Sequence, residues 1–473
     1  MGHKKSTIEE LKELNVKWIH LWITDIHGHI RNISFSVDTL SDDDLETGFG
    51  FDGSSIPGYK TIEDSDMIAK PDVSTLKVLP WTNFAHKSAI FITDIYEGFV
   101  NKRFEGDPRY VAQRTLEMVK KEGFSKVIMS PEVEFFVFDK VTSPELRLDP
   151  MTPEGIYIKL ESRETSLESG YYIRLKDGYF QHPPLDKTHE FRMDFANTLL
   201  EMGIRASKTH HEVATAGQVE IIIGAADLVT TADNIQVYKY VARNIAHKHG
   251  LVATFMPKPL AHDNGSGMHV HQSLWKDNEN AFYDPNDKYA ELSQIARYYI
   301  GGILDHAEAL TAIVAPTVNS YKRLTPGFEA PVYICWGRKN RSALIRVPLY
   351  KGGPIGRKLR RIEVRFPDPS SNPYLTLSVI VAAGLDGIKR KIDPGDPVDE
   401  DVYHLSPQNL KEYNIRQLPG TLIEAVEALE SDEVLQRTLG SHIFDQFIEI
   451  KKKEWRDYLN YITPWEYLHY FNL

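Results

Sequence analysis

Apolar and polar positions alternate along this chain with two different periods. Residues 6–15 place Ile8, Leu11 and Leu14 three apart and predict a short helix. Residues 16–24 and 29–36 read as strands, separated by the turn-like Asp25-Ile26-His27-Gly28. The stretch from Thr47 to Tyr59, rich in glycine and serine, reads as a loop, and Ala89–Ile95 as a further strand. Together they predict a small α+β unit ending near residue 105. Asp107 suits an N-cap and Pro108 a first helical position, so a helix opens there and closes at Gly123. A strand follows over Val127–Phe138, then a polar, irregular excursion over 139–177. Helical patterning returns at 187–202, at 231–249 and from about Pro373 to Ile388. Thr421 and Glu424 have capping-box spacing before an amphipathic helix. A last helix, about 441–461, precedes the aromatic tail Thr463-Pro-Trp465-Glu-Tyr467-Leu-His-Tyr470-Phe471-Asn-Leu473. Such a tail is expected to dock, either on its own domain or on another chain.

Four segments put functional groups where a strand places one face, at i and i+2. Glu132 and Glu134 share a face, with Val133, Phe135 and Val137 opposite. Gln218 and Glu220 share a face ahead of Ile221-Ile222-Ile223. His269, His271 and Ser273 share one, and so do Arg361, Glu363 and Arg365, with Ile362 and Val364 opposite. Any one of these alone is most often a solvated strand face. Four in one chain, each with an apolar back that must be buried, predict a sheet whose other face walls a polar cleft.

Composition narrows what that cleft serves. With 473 residues, the chain can bury two or three cores. A net charge of -11 argues against general nucleic-acid or anionic-membrane binding. A single cysteine, Cys335, excludes an internal disulfide and suits a reducing compartment. The N-terminal residues lack the apolar core of a signal peptide, and no window approaches the ~18 apolar residues of a membrane span. A cytoplasmic protein is expected, for which the sequon at Asn32 is without consequence.

Clustered carboxylates repel one another unless a cation sits between them. Many carboxylates with one or two imidazoles favour Mg²⁺ or Mn²⁺ over zinc. Arginines in the same cleft suit phosphate and carboxylate groups. Divalent metal plus arginine is equipment for phosphoryl transfer. Two glycine-rich runs are set aside. Gly48-Phe-Gly50-Phe-Asp-Gly53 fits a dinucleotide pattern but has no βαβ context, and Pro57 stands where the helix should open. Gly352-Gly-Pro-Ile-Gly356-Arg-Lys358 lacks the Lys-Ser/Thr pair of a phosphate loop and predicts a basic loop near a nucleotide.

Taken in order, these segments resemble the glutamine synthetases of the bacterial and archaeal type I class. Phe51-Asp52-Gly53-Ser54-Ser55-Ile56, Glu132-Val-Glu134-Phe-Phe and His210-His211-Glu212-Val-Ala-Thr-Ala-Gly217-Gln218-Val-Glu220 carry the first half. Lys258-Pro259, Asn264-Gly-Ser-Gly-Met-His269-Val-His271-Gln-Ser273, Asn319-Ser-Tyr-Lys-Arg323-Leu-Thr-Pro-Gly-Phe-Glu329-Ala-Pro and Arg361-Ile-Glu363-Val-Arg365-Phe-Pro-Asp-Pro carry the second. The resemblance implies an α+β fold: an N-terminal β-grasp domain over 1–105, then a larger catalytic domain over 106–473, built on a curved, mainly antiparallel sheet with flanking helices. It implies an ATP-dependent ligase that phosphorylates the γ-carboxylate of L-glutamate and lets ammonia displace the phosphate. Glu134, Glu212 and Glu220 would hold one Mg²⁺ or Mn²⁺, and Glu132, His269 and Glu363 a second. Asn264, Gly265, Arg323, Glu329, Arg341 and Arg365 would bind glutamate. His271, Ser273, Arg341, Arg346, Lys358 and Arg361 would line the ATP side. Asp52 would take a proton from ammonium, with Ser55, Tyr179 and Glu212 around that site, and Glu329 would close over the acyl phosphate.

The resemblance further implies a homo-oligomer, a dodecamer of two stacked hexameric rings. Asp52 and Ser55 would then serve a neighbour's site, and the aromatic tail would grip the opposite ring. Arg205-Ala-Ser-Lys208 lacks an acidic residue that some members place near ATP. The excursion 139–177 resembles an insertion of the subgroup switched by adenylylation, and Tyr403 stands about where its tyrosine would be. As an ordinary loop residue Tyr403 would be exposed. Two other readings fit the same segments: a relative that joins glutamate to a larger amine such as a polyamine, and a non-catalytic structural descendant. Asp52 and Ser55 favour ammonia, and the presence of all six metal positions opposes the latter.

Overall fold

The computed structural model describes residues 6–142, 158–167, 170–348, 353–413 and 415–473. The first part is a seven-stranded sheet of β1 (Trp18–Thr24), β2 (Ile30–Ser36), β3 (Phe49–Asp52), β4 (Asp66–Pro71), β5 (Lys77–Val78), β6 (Ser88–Glu97) and β7 (Lys102–Arg103). Its order is β2-β1-β6-β4-β3, with β5 and β7 also on β6. β1 and β2 form the expected hairpin, while β1 and β6 run parallel. The expected loop after Thr47 contains β3, which pairs Phe49 with Ala69 and packs Phe49 on Phe35. Gly48, Gly50 and Gly53 hid its period of two. This strand–strand pairing also leaves the Gly48–Gly53 run without a βαβ unit.

The second sheet has eleven strands. They are β8 (Lys126–Phe138), β11 (Ala206–His211), β12 (Gln218–Ile223), β13 (Ala226–Asp227), β14 (Val252–Thr254), β15 (Met268–Lys276), β16 (Glu279–Asn280), β17 (Tyr333–Arg338), β18 (Ala343–Val347), β19 (Ile362–Val364) and β20 (Arg416–Gln417). The order is β11-β12-β8-β15-β19-β18-β17-β20, antiparallel except for β17 with β18. Within the polar excursion, β9 (Lys140–Thr142) and β10 (Lys159–Glu161) form a hairpin, while 143–157 and 168–169 lie outside the described residues.

Helices cover the apolar back of this sheet. Asp107 caps the helix Pro108–Lys121, as its sequence requires. The helices Leu228–Lys248 and Pro373–Arg390 are buried along most of their length, and Asn372 caps the latter. Thr421 and Glu424 form the capping box of Leu422–Glu430. The glycine pair Gly301-Gly302 interrupts the pattern of the helix Gln294–Asp305. A Cβ at Gly302 would stand 2.1 Å from the carbonyl oxygen of Ala383, so only glycine allows this helix against Pro373–Arg390. The tail helix Pro464–Tyr470 leaves Trp465, Tyr467, Leu468, Tyr470 and Phe471 exposed, so the tail does not dock on its own domain. No described helix is long and apolar enough to cross a membrane.

A buried ionic knot joins the N-terminal sheet to the helices Pro108–Lys121, Leu228–Lys248 and Pro373–Arg390. Arg109, 3% exposed, donates to both oxygens of Asp233 at 3.1 and 3.0 Å, to Asp94 at 2.7 Å and to Asp72 at 2.7 Å. The Tyr374 hydroxyl also donates to Asp233, at 2.6 Å. Burial raises the Asp233 carboxyl, and Arg109 opposes that. Arg109→Ala would leave Asp233 buried without its cation. The expected cost is about 3–5 kcal/mol, read as a lower urea midpoint.

Candidate active site

Register brings the polar strand faces into rows. Glu220 stands opposite Glu134 on one side and His210 on the other. Glu132 stands opposite His269, and Glu363 opposite both His271 and Arg346. Directly opposed residues share a face, so the rows converge on one wall. The cleft in front of it has a volume of about 970 Å³.

Two trios in this cleft could hold a metal, each with ligand atoms within 4.8 Å of one another. Glu132, His269 and Glu363 form the first, as the resemblance implies. His269 Nδ1 lies 3.6 Å from Glu132 and 3.8 Å from Glu363. His210, Glu212 and Glu220 form the second, His210 lying 3.3 and 3.1 Å from the two carboxylates. His210 was not singled out in the sequence. Its place opposite Glu220 comes from the pairing of β11 with β12, which spacing along one strand does not set. Glu134 sits between the trios, 4.0 Å from His269, and accepts from the Gly267 amide at 2.7 Å.

The charges match a divalent cation. Burial raises the Glu134 carboxyl, with Glu220 adding to it and His269 opposing. Burial, Glu134 and Glu220 together push Glu212 well above the usual carboxylate range. Burial pushes Glu363 up too, but the charges of Arg365, His271, His269 and Arg346 outweigh it and hold the group at about 2. Hard carboxylate oxygens with single imidazoles are a donor set for Mg²⁺ or Mn²⁺.

Arginines close the other side. Arg346 and Arg365 each donate to Glu363, and Arg361 donates from Nε to His271 Nδ1 at 3.2 Å. Arg346 and Arg365 both line the cleft, where a guanidinium suits an anionic ligand. Arg323, 3% exposed, is fixed by the carbonyls of Phe366 and Arg365. Asn264, Gly265, Tyr179, Glu329 and Arg341 also line the cleft, and Gln218 donates to the Gly265 carbonyl at 3.0 Å. Tyr403 lines it as well, contrary to an ordinary exposed loop position, and its hydroxyl donates to Ala330 O at 2.7 Å. Burial pushes that hydroxyl up to about 12.

Four residues of the implied site do not line this cleft. Ser273 is buried on β15, accepting from the Trp275 indole, and Lys358 lies on the helix Gly353–Leu359 rather than in a loop. Asp52 and Ser55 are exposed in the N-terminal sheet region. Asp52 accepts from Ser54 N at 2.9 Å, Ser54 Oγ at 2.7 Å and Ser55 Oγ at 3.0 Å, bonds that hold its carboxyl below the usual range.

A buried pair sets the turn that carries Glu212. His211 Nδ1 lies 2.7 Å from the Glu212 carbonyl, and Nε2 lies 2.9 Å from Glu164, which also accepts from Gly217 N at 2.6 Å. Burial lowers the His211 imidazole, but Glu164 outweighs it and the net shift is upward. Glu164→Ala is expected to weaken Mn²⁺ binding about 10–100-fold, measured by titration, because ligand orientation is lost while the ligands stay.

Comparison with known proteins agrees with this geometry. Residues 15–98 match the glutamine synthetase β-grasp domain model, and 105–470 match the glutamine synthetase catalytic domain model. The chain is 50% identical to the glutamine synthetase of Archaeoglobus fulgidus, over 98% of this chain and 96% of that one. It is 46% identical to that of Sulfolobus acidocaldarius, over 99% and 98%. Among solved structures, Plasmodium falciparum glutamine synthetase superimposes with a TM-score of 0.86 at 30% identity, covering 98% of this chain and 99% of that one. The ADP complex of GmaS superimposes with a TM-score of 0.83 at 30% identity, covering 98% and 99%. A β-grasp unit, a curled catalytic sheet and two carboxylate–histidine trios facing arginines thus meet in one chain, and that chain belongs to the glutamine synthetase family of ATP-dependent ligases.

Proposed function

We propose that this chain joins ammonia to the γ-carboxylate of L-glutamate at the expense of ATP, through γ-glutamyl phosphate, giving glutamine, ADP and phosphate. The observation that carries this reading is the single sheet face on which two carboxylate–histidine trios meet Arg346, Arg361 and Arg365. That combination fits phosphoryl transfer between two anions. The ADP named in the GmaS complex supports a nucleotide as a ligand of this fold, and the arginines are the groups here suited to its phosphates.

In this reading Glu132, His269 and Glu363 hold one divalent ion, and Glu212 and Glu220 hold another with Glu134 or His210. At least two ions, Mg²⁺ or Mn²⁺, would neutralise phosphate oxygens and the acidic wall itself. Asn264, Gly265, Arg323 and Arg365 orient glutamate with its γ-carboxylate toward the metals. His271, Arg346 and Arg361 face the nucleotide phosphates, with Ser273 and Lys358 supporting that side and Arg341 reaching both substrates. Positive charge placed in advance stabilises the charge that moves through the transferring phosphoryl group. Ammonium enters near Tyr179 and Glu212, and Asp52 takes its proton. Attack on the γ-carbonyl carbon then breaks the bond to the phosphate oxygen. Glu329, on the loop after Arg323, keeps water out.

Asp52 and Ser55 lie outside their own chain's cleft, which supports a homo-oligomer with sites shared between neighbours. The exposed aromatic tail supports an assembly of two rings. A dodecamer in the cytoplasm is the form we propose.

Phosphate release from ATP tests the reaction. It is expected to require Mg²⁺ or Mn²⁺, glutamate and ammonium together, with hydroxylamine replacing ammonium. Preferred turnover of bulky amines over ammonia would overturn the choice of nucleophile. Metal binding without any turnover would support a structural descendant instead.

A further inference from the structure

The loop that carries Glu329 has an unusual anchor. Gly327 and Glu329 both have positive φ, +91° and +58°, so the residue between them is delivered by a chain doubling back on itself. That residue is Phe328. The ammonium of Lys258 lies 3.5 Å from its ring centroid and that of Lys176 lies 4.4 Å away. Aromatic faces attract cations at such distances.

Both lysines are fixed to parts of the cleft. Lys258 is 7% exposed, and its ammonium donates to the Asp263 carbonyl, beside Asn264. Its amide donates to Asn319 Oδ1 at 2.7 Å, and its carbonyl accepts from Asn319 Nδ2 at 3.1 Å, tying it to the segment that leads to Arg323. The Lys176 amide donates to Thr215 Oγ1 at 3.0 Å, in the turn between Glu212 and Glu220. One ring thus links the Glu329 loop to segments on the glutamate side and on the ammonium side.

We propose that Phe328 is a positioning residue whose ring, held by Lys176 and Lys258, keeps Glu329 over the cleft and so decides whether the activated γ-carboxyl meets ammonia or water. This rests on the reaction proposed above. When the loop leaves, water oxygen attacks the γ-carbonyl carbon and the bond to the phosphate oxygen breaks. Glutamate is regenerated with release of phosphate and a proton, so ATP is hydrolysed to ADP with no glutamine made.

The test is the ratio of ADP to glutamine formed with ATP, glutamate, ammonium and Mg²⁺. The unaltered chain is expected near one ADP per glutamine. Phe328→Leu is expected to raise the ratio about threefold or more, the shift in loop population that losing such a contact produces. Phe328→Tyr keeps an aromatic face and is expected to restore coupling. Lys176→Met alters an exposed side chain, so it tests the same contact if the leucine variant does not fold, and it is expected to raise the ratio too. An unchanged ratio in Phe328→Leu or Lys176→Met, whatever happens to kcat, would overturn the proposal. So would equal uncoupling by leucine and tyrosine at 328. If the unaltered chain makes no glutamine, the proposed reaction itself fails, which is a separate and visible outcome.

Discussion

Glu132→Ala is expected to lower glutamine formation by about 10³-fold or more, because losing a ligand to one metal removes several kcal/mol of transition-state stabilisation. Glu132 is the hub of the nucleotide side. It stands 3.6 Å from His269 and accepts from, or pairs with, His271 at 2.9 Å. Burial raises its carboxyl, but the hydrogen bonds of those two imidazoles outweigh it and the net shift is strongly downward. Alanine there leaves the trio with two ligands and His271 without its carboxylate. The measurement is turnover against Mg²⁺ concentration. The half-saturating concentration should rise steeply along with the loss of rate, and an unchanged metal dependence would contradict the assignment.

A second large effect concerns Asp52. Asp52→Ala is expected to cost about 10²–10⁴-fold, the usual worth of a positioned acid or base. Its side chain is exposed and, among the described residues, bonds to serines, so the variant should fold normally. The informative experiment mixes it with Glu132→Ala under conditions that exchange subunits. If Asp52 serves a neighbour's cleft, some clefts in mixed rings combine an intact Asp52 with an intact Glu132. Random assortment of an equal mixture restores about one quarter of full activity. If Asp52 acts within its own chain, the mixture stays as inactive as its parts.

The legible part of the site was its wall. Period-two polar positions with apolar backs identified Glu132, Glu134, Glu220, His269, His271, Glu363 and both flanking arginines, since burying one strand face forces the other into a cleft. Strand spacing shows which residues share a face on one strand, but register between strands is a property of the fold. His210 escaped for that reason: only pairing of β11 with β12 sets it against Glu220. Phe328 escaped as well, since both of its cationic partners are far away in sequence. In the fold, caps and amphipathic helices were well marked. β3 was hidden by glycines, and β17 by an unbroken apolar run, Tyr333-Ile-Cys-Trp336, that shows no alternation. The helix Gln294–Asp305 carries two glycines that sequence propensity counts against it, yet close packing on a neighbouring helix requires at least Gly302.

The reaction itself is tested most directly with glutamate labelled with ¹⁸O in both γ-carboxylate oxygens. Passage through γ-glutamyl phosphate predicts one ¹⁸O in the released phosphate for each glutamine formed, with the other retained in the amide. Glutamine formed alongside unlabelled phosphate would contradict it.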